Sequence, residues 1–462
     1  MSAPRQAEAL FFESNRQLAA GDAAGAEASL RDCLRLAPDL AEAHANLGML
    51  LDRRGAADEA EACHRRSIAL DPSYARTHMN LGVNLAQRKR FAEAEAAYQD
   101  SLRINPMSAA AWSNLGVLYA CTKREADAER CYRTAMAIDP GYANARFNLS
   151  YVLLRQGRYE EGWASMEARD WYAVLEQRIP FPRWRGEDLA GKSLLIAFEA
   201  GHGDMIQMCR YAAEIKARGA VRVAMICHPP LKRLFATLDA VDELIGFDEP
   251  LPATPCDFWS PPFSLPHYCG TRLDSIPARL PYLHPDPAGM AQWAPRLPTD
   301  GLRVGLVWKG SRGFENDADR SLPSLGVLAP LWSVPGVRFV SLQKGAGEDE
   351  AAQPPAGQPL VDLGSRLGDF ADTAAVLAQL DLLVSVDTGV AHLAGALGKP
   401  CWLLLPDYKT DWRWLAERTD SPWYPGAMRL FLQRAAGDWK PVVEEVRAAL
   451  SDLAGGTRRS PA

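Results

Sequence analysis

"DLLVSVDTGVAHLAGALGKPCWLLLP", residues 381–406, reads as one strand–helix–strand unit. Leu382–Val386 forms a short apolar run, long enough for a buried strand. A helix is expected from about 389 to 397, closed by Gly398, because glycine adopts the left-handed conformation that ends helices. "PCWLLLP" (400–406) then reads as the next buried strand. Strands alternating with helices imply a parallel sheet covered on both faces. Between the first strand and the helix stand Asp387, Thr388 and Gly389, with His392 one turn further on. Ligands of open α/β sheets sit beyond the carboxyl ends of the strands, where these four residues fall.

The same alternation extends upstream. "SLLIAFE", "VRVAMIC" and "DELIGF" read as strands between residues 193 and 247, with helices in "DMIQMCRYAAEIKARG" and "PLKRLFATL". A proline-rich stretch, 249–300, reads as the tail of this first series and a linker. A second series opens at "GLRVGLVWKG" (301–310) and continues through "RFVSLQKG" (338–345) and a helix in "DFADTAAVLAQL" (369–380). Two successive doubly wound units predict a ligand cleft between them.

Before residue 171 the texture is different. Prolines recur at 38, 72, 106 and 140, and Leu-Gly pairs at 47–48, 81–82 and 115–116, always 34 apart. Ala26, Ala60, Ala94 and Ala128 keep the same phase. Small residues let the two helices of a hairpin approach, large ones fill the gaps, and proline ends the second helix. Three clear repeats are expected, with a degenerate one before residue 41 and a partial one from 143 to about 170. One hairpin cannot bury its own face, so such units stack and expose a groove suited to a protein or peptide partner.

The totals exclude several classes. A net charge of −6 argues against a broad nucleic-acid-binding surface. The N-terminal residues lack the apolar core of a secretory leader, and the apolar stretch 382–405 is interrupted by Asp387, His392 and Lys399, so no stable membrane insertion is expected. Nine cysteines without a C-x-x-C pair point to reduced thiols and a cytoplasmic setting.

Several polar groups fall at expected strand exits: "EAGHGD" (199–204), Lys309, Gln343 with Lys344, and Asp387 to Gly389. Gly389 opens a helix, whose free amides and dipole favour an anion. Thr388 can cap that helix or donate to a phosphate, and His392 lies on the same face. Lys309 and Lys344 can neutralise phosphate charge. Asp204, in a glycine-flanked loop of the other half, can take a proton from a hydroxyl. Plainer readings stand beside these: a helix cap for Asp387 and Thr388, a structural His392, surface lysines, and an ordinary turn in "GHGD". The Asp317–Asp319 pair lies in a charged loop and is not read as a metal site.

"SVDTGVAHLAGALGKP", with "VGLVWKG", "SLQKG" and "GHGD", resembles glycosyltransferase family 9, the heptosyltransferase-like enzymes of GT-B fold. "DWRWLAERTDSPWYPGAMRLF" (411–431) is similar to the tail of bacterial proteins that fuse tetratricopeptide repeats to such a domain. The layout is similar to that of O-GlcNAc transferases and bacterial flagellin glycosyltransferases. The resemblance implies a tetratricopeptide solenoid followed by two Rossmann-like doubly wound domains facing a cleft. It implies sugar transfer from a nucleotide-sugar to an acceptor hydroxyl, with inversion and without a bound metal or other cofactor. Asp204 matches the aspartate of the family's Leu-Gly-Asp loop and becomes the catalytic candidate, with His202 as its assistant or substitute. Lys309, Gln343, Lys344, Asp387, Thr388, Gly389 and His392 become the donor-binding candidates. The chain departs from the expected Gln-Gly-Leu-Gly-Asp-Thr loop at Ala200, His202 and Met205.

The expected organisation is therefore a repeat array over 1–175, an acceptor-side half over 176–298, a nucleotide-sugar half over 299–452 and a flexible tail over 453–462. The expected acceptor is a protein brought by the repeats, flagellin being one such case. The alternatives are a lipid-linked acceptor, as in lipopolysaccharide heptosyl transfer, and a non-catalytic adaptor with a degenerate GT-B domain.

Overall fold

The computed structural model describes residues 2–252 and 254–457. The chain divides into two compact units, Met1–Val152 and Leu153–Ala462.

The first unit is helical. Its hairpins are Ala3–Ala19 with Ala23–Leu36, Ala41–Arg54 with Ala57–Leu70, Ala75–Gln87 with Phe91–Ile104, and Ala109–Cys121 with Glu125–Ile138. Each second helix stops two residues before the periodic proline. The segment before residue 41, expected to be degenerate, is a complete hairpin whose Ala7, Ala26, Leu30 and Cys33 share one core with Ala43, Leu47 and Leu50 of the next. The 34-residue period has a steric origin. A Cβ on Gly48, Gly82 or Gly116 would lie 2.6–2.7 Å from the rings of His64, Tyr98 and Tyr132 respectively. Those rings are buried against the glycine of the facing helix, so glycine is required there. The turns repeat too: residues 21, 55, 89, 123 and 157 all have positive φ, carried by glycine at three of them and by lysine at Lys89 and Lys123. First helices of successive hairpins touch one another. This arrangement aligns Met49, Val83, Val117 and Tyr151, which share one repeat position.

The second unit holds two parallel sheets. Sheet one contains β1 (Ser193–Ile196), β2 (Arg222–Cys227), β3 (Glu243–Gly246) and β4 (Phe258–Ser260), in the order β3-β2-β1-β4. Sheet two contains β5 (Leu302–Val307), β6 (Val337–Ser341), β7 (Val361–Asp362), β8 (Leu382–Val386), β9 (Cys401–Leu405) and β10 (Met428–Leu432), in the order β10-β9-β8-β5-β6-β7. Numbered from its own first strand, the second sheet reads 3-2-1-4-5-6, the dinucleotide-binding order, and its strand direction of growth reverses between β5 and β8. The first sheet follows the same rule in shortened form. Strands β5, β8 and β9 bury Val304, Leu306, Val384, Val386 and Leu404, which share one core with the last helix, Lys440–Thr457.

Three features differ from the sequence reading. The proline-rich stretch holds β4 and the helix Pro287–Trp293. A three-residue strand between prolines is too short to show a period of two. "DMIQMCRYAAEIKARG" is two helices, His202–Met208 and Tyr211–Ala217, separated at Cys209 and Arg210. The tail expected from 453 starts inside the last helix, and its residues 458–462 lie outside the described residues.

The final helix of the repeat pattern, Tyr159–Met166, is built into the second unit. Trp423 Nε1 donates to the Tyr159 hydroxyl at 3.0 Å, and Trp163 meets Trp412 edge-on at 5.1 Å. Just beyond, the buried guanidinium of Arg169 forms a two-pronged pair with Glu199, at the exit of β1, and bonds Ser264 Oγ at 3.0 Å. Trp171 Nε1 also donates to Glu199. Glu199 thus anchors the chain that enters the first sheet.

Replacing Gly116 by alanine forces the Tyr132 ring to move. It should destabilise the repeat unit by about 1–3 kcal/mol, read as a lower helical melting transition by circular dichroism.

Candidate functional site

β5 and β8 are neighbours, with Val307 beside Ser385, so the residues following them stand side by side at the reversal point. Asp387 follows β8. Its side chain does not cap the next helix: Oδ2 accepts from Trp414 Nε1 at 2.8 Å. Thr388 is the N-cap by backbone, yet its hydroxyl bonds Ser385 Oγ at 3.1 Å rather than a helix amide. The simple capping account of these two residues therefore does not describe the geometry. Among the described residues, the Gly389 and Val390 amides have no acceptor. The helix Gly389–Ala396 thus presents free N–H groups at its positive end.

His392 is buried on that helix. Its Nδ1 is 2.8 Å from the Tyr424 hydroxyl, its ring stacks on Trp414 at 5.3 Å, and Nε2 lies 3.8 Å from Asp387 Oδ1. Burial, with Arg413 and Arg210 nearby, holds its pKa well below the usual range. The neutral imidazole is the favoured form. Asp387 is displaced the other way: burial and then Asp411 push its carboxyl up to about 6, against the Trp414 hydrogen bond.

Across from this turn lies the helix His202–Met208, which packs on Gly389–Ala396. A Cβ on Gly203 would lie 2.8 Å from His392 Cδ2 and 3.3 Å from Gly389 Cα, so the two helix starts meet through glycines. Asp204 sits in the first turn of its helix, not in a loop as the sequence suggested, because its Oδ2 accepts from the Gly201 amide at 2.8 Å. Its Oδ1 pairs with Arg413. Desolvation raises the Asp204 pKa, and Arg413 opposes that rise. A carboxylate has about four lone-pair sites, so these two bonds leave room for an acceptor hydroxyl.

His202 makes no hydrogen bond to Asp204. Its ring meets His228 at 4.7 Å and Phe370 at 5.2 Å. Burial, then His228, lowers its pKa. Ala200 has φ +60, a left-handed conformation unusual for alanine, and its carbonyl meets His228 Nε2 at 3.0 Å.

The lysines divide. Lys309 Nζ pairs with Glu350, whereas Lys344 is exposed and has no ion pair among the described residues. Gln343 is committed to backbone. Its Oε1 accepts from Trp308 N at 2.8 Å and Lys309 N at 2.9 Å, and its Nε2 donates to Lys309 O at 3.0 Å and Ala346 O at 2.7 Å. A donor would have to displace these bonds, so in this structure Gln343 shapes the β5 exit instead of offering a free amide.

The sequence reading passed over Arg413, which donates to Asp204, Gln207 and Asp411. It also missed Tyr424 and Arg210. Arg210 is buried, donates to the Trp423 carbonyl at 2.8 Å and to the Tyr282 hydroxyl at 2.9 Å, and faces the Tyr424 ring at 4.9 Å. For Arg413 and Tyr424 the available signal was the 411–431 stretch, in which arginines and aromatics are crowded into a segment without period.

Residues 335–404 match glycosyltransferase family 9 (heptosyltransferase). Residues 6–129 match the middle tetratricopeptide-like domain of cilia and flagella-associated protein 70, and 131–164 match a tetratricopeptide repeat. The organisation is that of a tetratricopeptide-repeat array joined to a glycosyltransferase segment. Protein FlbA of Caulobacter vibrioides is 30% identical over 339 residues. The alignment covers 67% of this chain and 55% of FlbA, so the chain spans about half the length of that relative. Among solved structures, Pseudomonas aeruginosa PilF is 20% identical with a TM-score of 0.34, covering 36% of this chain and 77% of that one. A thermophilic tetratricopeptide-repeat protein of Thermus thermophilus is 21% identical with a TM-score of 0.33, covering 37% and 96%. The family 9 match and FlbA support a glycosyltransferase. Among the described residues no helix is long and apolar enough to cross a membrane.

Asp387 binds its proton more tightly folded, at about 6, than at its ordinary 3.8. The folded state therefore takes up this proton first as pH falls, and stability contributed by this group grows from pH 6 towards 4. Asp387→Asn should lose that part of the gain. Denaturant titrations at several pH values check it, and identical pH slopes for the two proteins would contradict it.

Proposed function

We propose that the protein is an inverting, metal-independent glycosyltransferase of GT-B type that acts in the cytoplasm. It moves a sugar from a nucleotide-sugar to a hydroxyl of a protein held by the repeats, with flagellin the first acceptor to test. One observation carries the reading: the free amides of the Gly389 turn lie at the strand-order reversal, directly against the helix that bears Asp204.

The chemistry follows from that placement. Asp204 takes the acceptor proton as the hydroxyl oxygen attacks the anomeric carbon from the face opposite the nucleotide. The bond to the leaving phosphate breaks, and negative charge grows on the phosphate. Gly389 and Val390 amides stabilise that charge, with Thr388 and Lys344 within the same strand-exit region. Neutral His392 can exchange a hydrogen bond with donor oxygens through Nε2, its other nitrogen being fixed by Tyr424. Lys309 reaches the donor on leaving Glu350. The apolar line Met49, Val83, Val117, Tyr151 supports an extended protein partner, since Val117 and Tyr151 are exposed at 36% and 39%.

A thermal-shift panel of UDP, GDP, CMP and ADP, with and without EDTA, tests the donor site. A nucleotide at 100 times its Kd should stabilise the protein by about 2.7 kcal/mol. No shift with any of the four would sink the reading, and a shift abolished by EDTA would overturn metal independence. Asp204→Asn keeps an oxygen that can accept from the Gly201 amide and from Arg413, but not the base. It should bind nucleotide normally while transfer falls by roughly 10²–10⁴-fold; transfer at the wild-type rate would remove Asp204 from the mechanism. Val117→Asp should reduce protein glycosylation and leave nucleotide binding intact, measured by modification of purified flagellin.

A further inference from the structure

The loop 310–321 leaves β5 at Gly310 and reaches the exit of β9, where Asn316 Nδ2 donates to the Tyr408 carbonyl at 3.2 Å. β8 lies between β5 and β9 in the sheet. The loop therefore crosses the carboxyl end of β8, where the Asp387–Gly389 turn begins. It is held in shape from within: Gly310 N donates to Ser321 Oγ at 2.8 Å, and Ser321 Oγ donates to Asp317 Oδ1 at 2.8 Å. That use gives Asp317 a structural role.

Arg320 closes this loop. A Cβ on Gly310 would lie 2.5 Å from Arg320 Nη2, so the guanidinium rests directly on the glycine backbone. It lies over the Phe314 ring, 4.1 Å from the centroid. Its Nε meets Asp317 Oδ1 at 3.3 Å, long for a charge-assisted bond. Among the described residues, neither Nη has a hydrogen-bond acceptor, although the side chain is only 15% exposed. Its charge reaches the turn below, where it lowers the pKa of both Asp387 and His392.

Lys344 stands exposed at the exit of β6, while the less exposed cations around the turn, Arg320 apart, are engaged. Lys309 holds Glu350, Arg413 holds Asp204 and Asp411, and Arg210 holds backbone carbonyls and Tyr282. A planar fork with both terminal nitrogens open suits two oxygens of one phosphate.

We propose that Arg320 is the principal phosphate-binding side chain of the donor site, presented by Phe314 and Asp317 above the amides of the Gly389 helix. This rests on the donor-site reading of the Asp387–Gly389 turn. The phosphate is that of the nucleotide leaving group, whether a nucleoside monophosphate or a diphosphate.

Isothermal titration of the full chain with CMP, UDP, GDP and ADP at low and moderate salt tests this. For whichever nucleotide the wild type binds, Arg320→Gln should weaken affinity at least tenfold and flatten its salt dependence. Arg320→Lys, which keeps the charge but loses the fork, should fall between. Inorganic pyrophosphate should compete with the bound nucleotide in the wild type and compete poorly in Arg320→Gln. Wild-type affinity in Arg320→Gln, with the wild type binding normally, overturns the role of Arg320 alone. If no nucleotide binds the wild type, the donor-site reading falls and takes this one with it. Should Arg320→Gln lose the native melting transition, Arg320→Lys decides, and unchanged affinity there counts against the proposal.

Discussion

The second unit is organised around the guanidinium of Arg413. It pairs with Asp204 from the first sheet's side and with Asp411 on its own loop, and donates to Gln207 as well. Its flat face lies 4.6 Å from the Trp412 ring centroid and 5.5 Å from that of Phe263. A buried charge is tolerated only when its partners are in place, and removing one partner leaves an uncompensated ion. The Arg413 pairing therefore fixes the helix bearing Asp204 against the loop 411–414, whose Trp414 in turn fixes Asp387. The glycine contact between residues 203 and 389 is possible only while that register holds. On the outer side the same register is supported by an exposed pair, Arg233 with Asp369 at 2.9 Å, which is worth far less.

The repeats and the buried strands were legible for different reasons. A 34-residue period is written by steric necessity, glycine against ring, in the three middle hairpins, at Gly48, Gly82 and Gly116. Strands β5, β8 and β9 are buried runs of branched and large apolar residues, and they read as such. β4 and β7 carry three and two residues, too few to declare a pattern. Their pairing is imposed by neighbours, β1 for the one and β6 for the other. The lysines at 89 and 123 occupy turn positions that glycine fills elsewhere in the array, so the recurring turn conformation was hidden by its residue types.

At the candidate site, the exits of β5, β6 and β8 lie at one edge of the second sheet, and the helix His202–Met208 that follows β1 packs on Gly389–Ala396. What the sequence hid was the occupancy of each group. Lys309, Gln343 and Asp204 all looked like open ligand groups, and each has a specific internal partner. The partners Trp308, Glu350 and Arg413 lie 35, 41 and 209 residues away in the chain, beyond the reach of any local pattern. The long-range groups Arg413 and Tyr424 sit in an aperiodic segment whose residues are placed by tertiary contacts alone.

The balance of charge at the reversal point constrains any ligand there. Asp387 and His392 are both drawn towards neutrality, the acid upwards and the imidazole downwards, chiefly by burial. A full carboxylate about 4 Å from a phosphate charge would repel it by about 4 kcal/mol at an effective dielectric of about 20. Trp414 donates its indole N–H to one Asp387 oxygen, and burial raises the carboxyl to about 6, so that it loses its charge at mildly acidic pH. The amides of the Gly389 helix add partial positive charge without a counter-ion of their own. On the donor-site reading proposed above, an anion at the turn would need little reorganisation of its side chains, whereas a cation there would meet free N–H groups. The opposing helix offers the reverse at Asp204, where the acid is paired and capped. One face of the region is suited to hold a phosphate, and the other to take a proton.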